Sequence, residues 1–82
     1  MKNRIAAQWY DFAAMALPLV PAESPQRIDM RRAFYAGATA LFTEITRSLT
    51  PGPDAQPADE QMLMEIDAEL RAFAAAISQG RA

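Results

Sequence analysis

Two clusters of proline divide this chain of 82 residues into three segments. The clusters lie at 18–25 and 51–57, and each contains three prolines. Proline lacks a backbone N–H and clashes with the preceding turn of a helix, so both clusters predict loops. Apolar residues recur at helical spacing in all three segments, and no Asn-Gly or Asp-Gly turn occurs. The sequence therefore predicts an all-α protein with three helices in a single domain, 1–82.

Local signals place the ends of these helices. Asn3 and Ser24 are expected N-caps, because their side-chain oxygens can accept from first-turn N–H groups. Gly80 is expected to end the third helix in the left-handed conformation. The short linker at 50–57 predicts that the second and third helices form a long antiparallel helical hairpin. We expect the helices at about 3–17, 25–49 and 58–78.

The amino-acid composition argues against several classes of function. The chain has no Cys and no His, which removes disulfides, thiol nucleophiles, the histidine base and the usual zinc sites. Asp67 and Glu69 do not face each other on a helix, so no carboxylate pair is expected either. We therefore expect no enzyme activity, no metal and no cofactor.

Charge and hydropathy narrow the location and the partners. The net charge of −2 argues against general nucleic-acid binding. No run of 18 apolar residues could span a membrane, and no signal peptide is recognisable. The expected location is the cytoplasm, that of the host cell if the protein is phage-encoded.

The third segment combines an apolar seam with many acids. The seam residues are spaced alternately three and four apart, as in coiled coils, and are Leu63, Ile66, Leu70, Phe73 and Ile77. The acids are Asp59, Glu60, Glu65, Asp67 and Glu69. They form either a solvated face or an acidic surface that docks on a basic partner.

A face of small residues on the second helix predicts self-association. Ala33, Gly37 and Ala40 lie on this face, and glycine inside a helix costs about 1 kcal/mol relative to alanine. Small residues allow close approach of another helix, so we expect a homo-oligomer. The alternative is an alanine-rich exposed face.

The large apolar stripe of the second helix becomes basic near its start. Arg31 falls near the centre of the stripe beside Phe34 and Tyr35, and Arg27 lies on the same side. One interpretation is that these arginines reach solvent or pair with an acid of the third helix or of a neighbouring subunit. The other is a phosphate-binding site, because a guanidinium fork matches a phosphate.

Aromatic residues could complete such a site. Tyr10 and Tyr35 are candidates for stacking on a ligand base. Trp9 lies on the apolar face of the first helix and is interpreted mainly as core. The candidate ligand-binding residues are Arg27, Arg31, Tyr35, Tyr10 and Trp9.

One run in the second helix resembles a motif of short helical proteins from tailed bacteriophages. These proteins also have an aromatic first helix, a proline-rich linker and an acidic last helix, which ends here in Gly80-Arg81-Ala82. The run is Met30-Arg31-Arg32-Ala33-Phe34-Tyr35-Ala36-Gly37-Ala38, preceded by Gln26-Arg27. More distantly, the layout is similar to the helical sponges by which phages sequester cyclic nucleotides of the host CBASS immune system.

The resemblance to these sponges implies an oligomer that stacks an aromatic ring on a base and places a basic residue on a phosphate. Its implied function is sequestration of a nucleotide-derived immune signal, with Tyr10 or Tyr35 and Arg27 or Arg31 in these roles. The alternative is a protein-binding inhibitor or adaptor that acts on a host defence complex through its acidic third helix.

Overall fold

Three α-helices form the computed structural model, which describes residues 2–54 and 56–82. They are α1 (Arg4–Ala16), α2 (Pro25–Ser48) and α3 (Pro57–Ser78), and no strand occurs in these two ranges. The all-α prediction with three helices is confirmed. The order of α2 and α3 is consistent with a hairpin, whereas their antiparallel contact stays a prediction. Met1 and Ala55, which belong to the predicted domain and linker, lie outside the described residues.

The chain divides into two compact units. The N-terminal unit is Met1–Phe42 and the C-terminal unit is Thr43–Ala82, so α2 contributes to both. The N-terminal unit has five Lys/Arg and three Asp/Glu, whereas the C-terminal unit has three and seven. Within the described ranges no helix is both long and apolar enough to cross a bilayer.

Among the described residues, the buried apolar side chains all lie in the C-terminal two-thirds of α1 or just beyond it. Trp9, Ala13 and Leu17 are four residues apart, so they line one face of a helix. The Trp9 ring centroid lies 5.5 Å from that of Phe34 and 5.9 Å from that of Phe12. Because Phe34 belongs to α2, this aromatic cluster joins α1 to the first half of α2.

The helix ends agree with the sequence signals in two cases of three. The Ser24 hydroxyl accepts a hydrogen bond from the Arg27 N–H at 3.2 Å, as expected of an N-cap. Gly80 has a φ of 70°, and the Arg81 N–H donates to the Ala76 carbonyl at 2.8 Å, which is a Schellman ending. The prediction for Asn3 is wrong in its chemistry, because Asn3 occupies the N-cap position but its side chain makes no capping bond.

Asp59 ties the second linker to the start of α3. Its carboxylate accepts from the Thr50 N–H at 2.8 Å and from the Gln56 N–H at 3.0 Å, and the residue is only 6% exposed. Both backbone hydrogen bonds lower the pKa of the Asp59 carboxyl, because they stabilise its charged form. The bond from Gln56 has the larger effect.

The hydrogen bonds from the Thr50 and Gln56 N–H groups to the Asp59 carboxylate, which we call the Asp59 clamp, predict a stability that depends on pH. A lowered pKa contributes stability that is fully present above the ordinary carboxyl pKa of about 4 and is lost as pH falls through the folded pKa. We expect Asp59→Asn to lower the melting temperature at neutral pH and to approach the wild type as pH falls below about 4. Asp54→Asn, in the same linker, is the control, because Asp54 is exposed. If the difference in melting temperature between Asp59→Asn and the wild type stays the same from pH 7 to pH 2.5, the Asp59 clamp is contradicted.

The apolar seam of α3 remains open to solvent. Four of its five residues, Leu63, Leu70, Phe73 and Ile77, are between 48% and 59% exposed. Among the described residues of the C-terminal unit, the one buried side chain is that of Asp59, which is polar. The fifth seam residue, Ile66, is half-buried.

Candidate anion-binding cleft

A cleft of about 330 Å³ opens on the N-terminal unit between aromatic side chains of α1 and arginines of α2. Four of the five predicted ligand residues line it. The fifth, Tyr35, lines an adjoining hollow of about 170 Å³ together with Arg31 and Arg32. Among the described residues, the cleft is lined by Trp9, Tyr10, Ala22, Arg27, Ile28, Arg31 and Arg32.

The aromatic wall has a fixed part and an accessible part. Trp9 and Tyr10 are neighbours on α1, so their side chains point about 100° apart. Trp9 is 3% exposed and held in the aromatic cluster, whereas Tyr10 is 66% exposed. Tyr10 therefore offers a ring face for stacking, and Trp9 gives the cleft a rigid side.

The Arg27 side chain makes hydrogen bonds that stabilise the fold. Its Nη1 donates to the carbonyl oxygens of Leu17, at 3.2 Å, and Val20, at 2.9 Å. These carbonyls belong to the end of α1 and the linker that follows, where helical partners are missing. Arg27 thus holds the α1–α2 linker in place while its side chain also lines the cleft.

Arg31 is exposed and its charge is not neutralised. Its guanidinium carbon lies 5.2 Å from the centroid of the Tyr35 ring, one turn further along α2. In the two described ranges the one ion pair is Arg71 with Asp67, at 2.8 Å. This exposure of Arg31 agrees with the interpretation that the arginines of the stripe reach solvent. The stripe reaches solvent at this point, and a cation–π contact orients the charge without cancelling it.

Arg32 is the cleft residue that sequence reasoning missed. It is absent from the ligand residues predicted above, yet it lines both the cleft and the adjoining hollow. The available signal was its position directly after Arg31, which places two guanidinium groups about 100° apart at one level of the helix.

The small-residue face of α2 is accessible in the part of the chain that the structure describes. Ala33 and Ala40 are exposed, and a Cβ added to Gly37 would meet nothing within 4 Å. Self-association through Ala33, Gly37 and Ala40 therefore stays a prediction.

The cleft offers guanidinium groups and aromatic rings to a ligand. The described residues that line it include three arginines and no carboxylate. Across the residues described, no group of three or more Asp or Glu could hold a metal ion. No protein-family model, curated protein or solved structure matches this chain.

Proposed function

We propose that this protein binds and sequesters a small anionic ligand of the nucleotide type in the cleft between α1 and α2. The observation that carries the proposal is Arg31, whose exposed guanidinium group faces the cleft lining without a carboxylate partner in the described chain. A guanidinium group oriented by a tyrosine can bind a phosphate at two oxygens.

Size and shape support a small ligand. A volume of about 330 Å³ lies at the lower end of the usual range for small-molecule sites. Tyr10 is exposed and can stack on a base, while Arg31 and Arg32 neutralise phosphate charge. The net positive charge of the N-terminal unit favours the approach of an anion.

We propose storage rather than conversion of the ligand, because the cleft lining supplies no group suited to acid–base chemistry near neutral pH. The biological role we propose is that of a phage protein that acts in the host cytoplasm, as a homo-oligomer, and withholds a nucleotide-derived signal from a host defence system.

Replacing Arg31 with alanine is expected to weaken ligand binding at least ten-fold while leaving the fold intact. The bidentate contact to phosphate is lost, whereas the exposed side chain contributes only about 0.5–1 kcal/mol to stability through its ring contact. Calorimetric titration with cyclic dinucleotides, cyclic trinucleotides and ADP-ribose measures the first effect, and thermal melting measures the second. Arg47→Ala is the matched control, because Arg47 is an exposed arginine of α2 in the other unit.

Two results would contradict the proposal. One is the absence of binding heat with every nucleotide in the wild type, together with native mass spectra of protein purified from cells that show no retained small molecule. The other is equal loss of affinity in the Arg31 and Arg47 variants, which would indicate nonspecific attraction.

A second candidate function is protein binding through the acidic face of α3. It is favoured by the C-terminal unit, where seven Asp/Glu outnumber three Lys/Arg. Glu65 and Glu69 are exposed on this helix. Capture of a basic host protein that is lost in a Glu65→Lys, Glu69→Lys double variant, but kept in Arg31→Ala, would favour this second function.

A further inference from the structure

The seam of α3 has the spacing and exposure of an unpaired coiled-coil surface. Its five apolar residues recur at steps of three and four from Leu63 to Ile77, which corresponds to roughly 21 Å of helix. From Ala72 to Ile77 the helix carries no polar side chain on any face. Of these six residues, only Ala76 is half-buried and the others are exposed.

A helix of this kind needs a partner. Most helical stability in proteins comes from burial of an apolar face against another element. Within the described C-terminal unit no apolar side chain is buried. A stretch that is apolar around its whole circumference is typical of helices that are covered on more than one side.

The alternating three-and-four spacing identifies the chemistry of the partner. Knobs-into-holes contact requires a second helix whose apolar residues follow the same repeat. A second copy of this chain provides that repeat.

The charges of α3 select one orientation of two such helices. All five acids of α3 lie between Asp59 and Glu69, and the remainder carries Arg71 as its one charge. Parallel alignment would place the two acidic halves side by side, where like charges repel. Antiparallel alignment places each acidic half beside the half of the other helix that has no acid. It also brings Arg81, just after the helix, to the acidic end of the partner, and opposes the two helix dipoles.

We propose that two copies of this protein associate through their α3 seams, antiparallel, around a two-fold axis near Leu70. This is an isologous contact, in which each copy uses the same surface. It differs from the predicted contact at the small-residue face of α2 and lies in the other unit from the anion cleft. Because the seam is short compared with a standard interface, the dissociation constant is expected to be on the order of micromolar.

Sedimentation over a range of micromolar concentrations tests the surface. The wild type is expected to shift from monomer to dimer, and Leu70→Lys is expected to weaken this association at least ten-fold because it places a charge at the axis. Met64→Lys is the matched control, since Met64 is an apolar residue of the same helix, 66% exposed, on its opposite side from the seam. Circular dichroism checks that both variants remain helical.

Disulfide cross-linking tests the orientation. The chain has no Cys, so each introduced cysteine reports on one position. In the antiparallel dimer, the Leu70→Cys variant is expected to form a disulfide between position 70 of one copy and position 70 of the other. Leu63→Cys should not form the corresponding disulfide, because the two copies of position 63 are roughly 21 Å apart along the axis, and a disulfide requires Cβ atoms about 4 Å apart. A mixture of the Leu63→Cys and Ile77→Cys variants is expected to form the mixed disulfide.

The competing outcomes are distinct. A wild type that stays monomeric at all concentrations would overturn the proposal, as would an equal effect of Leu70→Lys and Met64→Lys. Efficient cross-linking of Leu63→Cys with itself would show parallel pairing and would overturn the proposed orientation. Arg31→Ala is expected to leave the association unchanged, so failure of the proposed ligand site does not affect this result.

Discussion

Replacing Trp9 with alanine is expected to unfold the N-terminal unit or to leave it only marginally stable. Trp9 is 3% exposed and contacts the rings of Phe12 and Phe34. Truncation of a buried aromatic residue costs about 3–5 kcal/mol, against a total of about 5–15 kcal/mol for a typical domain. Denaturant unfolding followed by far-ultraviolet circular dichroism measures this loss.

Tyr10→Ala is the control for Trp9→Ala. Tyr10 is the next residue of the same helix, aromatic and largely exposed, so its loss is expected to change the free energy of unfolding by less than about 0.5 kcal/mol. Since Trp9 is the one tryptophan of the chain, its fluorescence also reports unfolding in this control. Similar midpoints for the two variants would show that Trp9 is not the centre of the core.

Replacing Arg27 with alanine is expected to cost about 2–4 kcal/mol of stability. The variant loses two hydrogen bonds from a charged donor, each worth about 1.5–3 kcal/mol, to the Leu17 and Val20 carbonyls. The effect falls below the simple sum because the freed carbonyls gain contact with water. Thermal or denaturant melts measure it, and increased protease cleavage at 18–24 would locate it in the first linker.

Arg32→Ala is the control that separates the structural role of Arg27 from the loss of one positive charge on α2. Arg32 is exposed on the same helix and lines the same cleft. Its loss is expected to weaken ligand binding with little effect on stability. If Arg27→Ala melts at the temperature of Arg32→Ala, the bonds to the linker carbonyls contribute nothing measurable.

The parts of the fold that could be predicted are those with local causes. Proline is excluded from the interior of a helix and is tolerated only in its first turn, where Pro25 and Pro57 lie, so the sequence alone located both loops. The Ser24 cap and the Gly80 ending each depend on atoms within five residues along the chain. Signals of this range are readable because the helix fixes the geometry between the residues concerned.

The environment of each side chain was less predictable. Helical spacing placed Arg31 on an apolar stripe, but whether that part of the stripe is covered depends on where α1 ends. The bonds from Arg27 to Leu17 and from Thr50 to Asp59 span ten and nine residues across loops, whose path no local rule determines. For the candidate site, the sequence indicated Trp9, Tyr10, Arg27 and Arg31, while Arg32 was recognised only from the cleft.

The two roles of Arg27 have a consequence for how such a protein can evolve. On the proposed function, a mutation that removes Arg31 or Arg32 alters the cleft and little else, so these positions would be free to drift if ligand binding ceased to benefit the carrier. Arg27 is retained by selection on the linker even then. A descendant that had lost its ligand would thus keep one cation in the cleft, and a new anion specificity could arise there by gaining a single neighbouring charge.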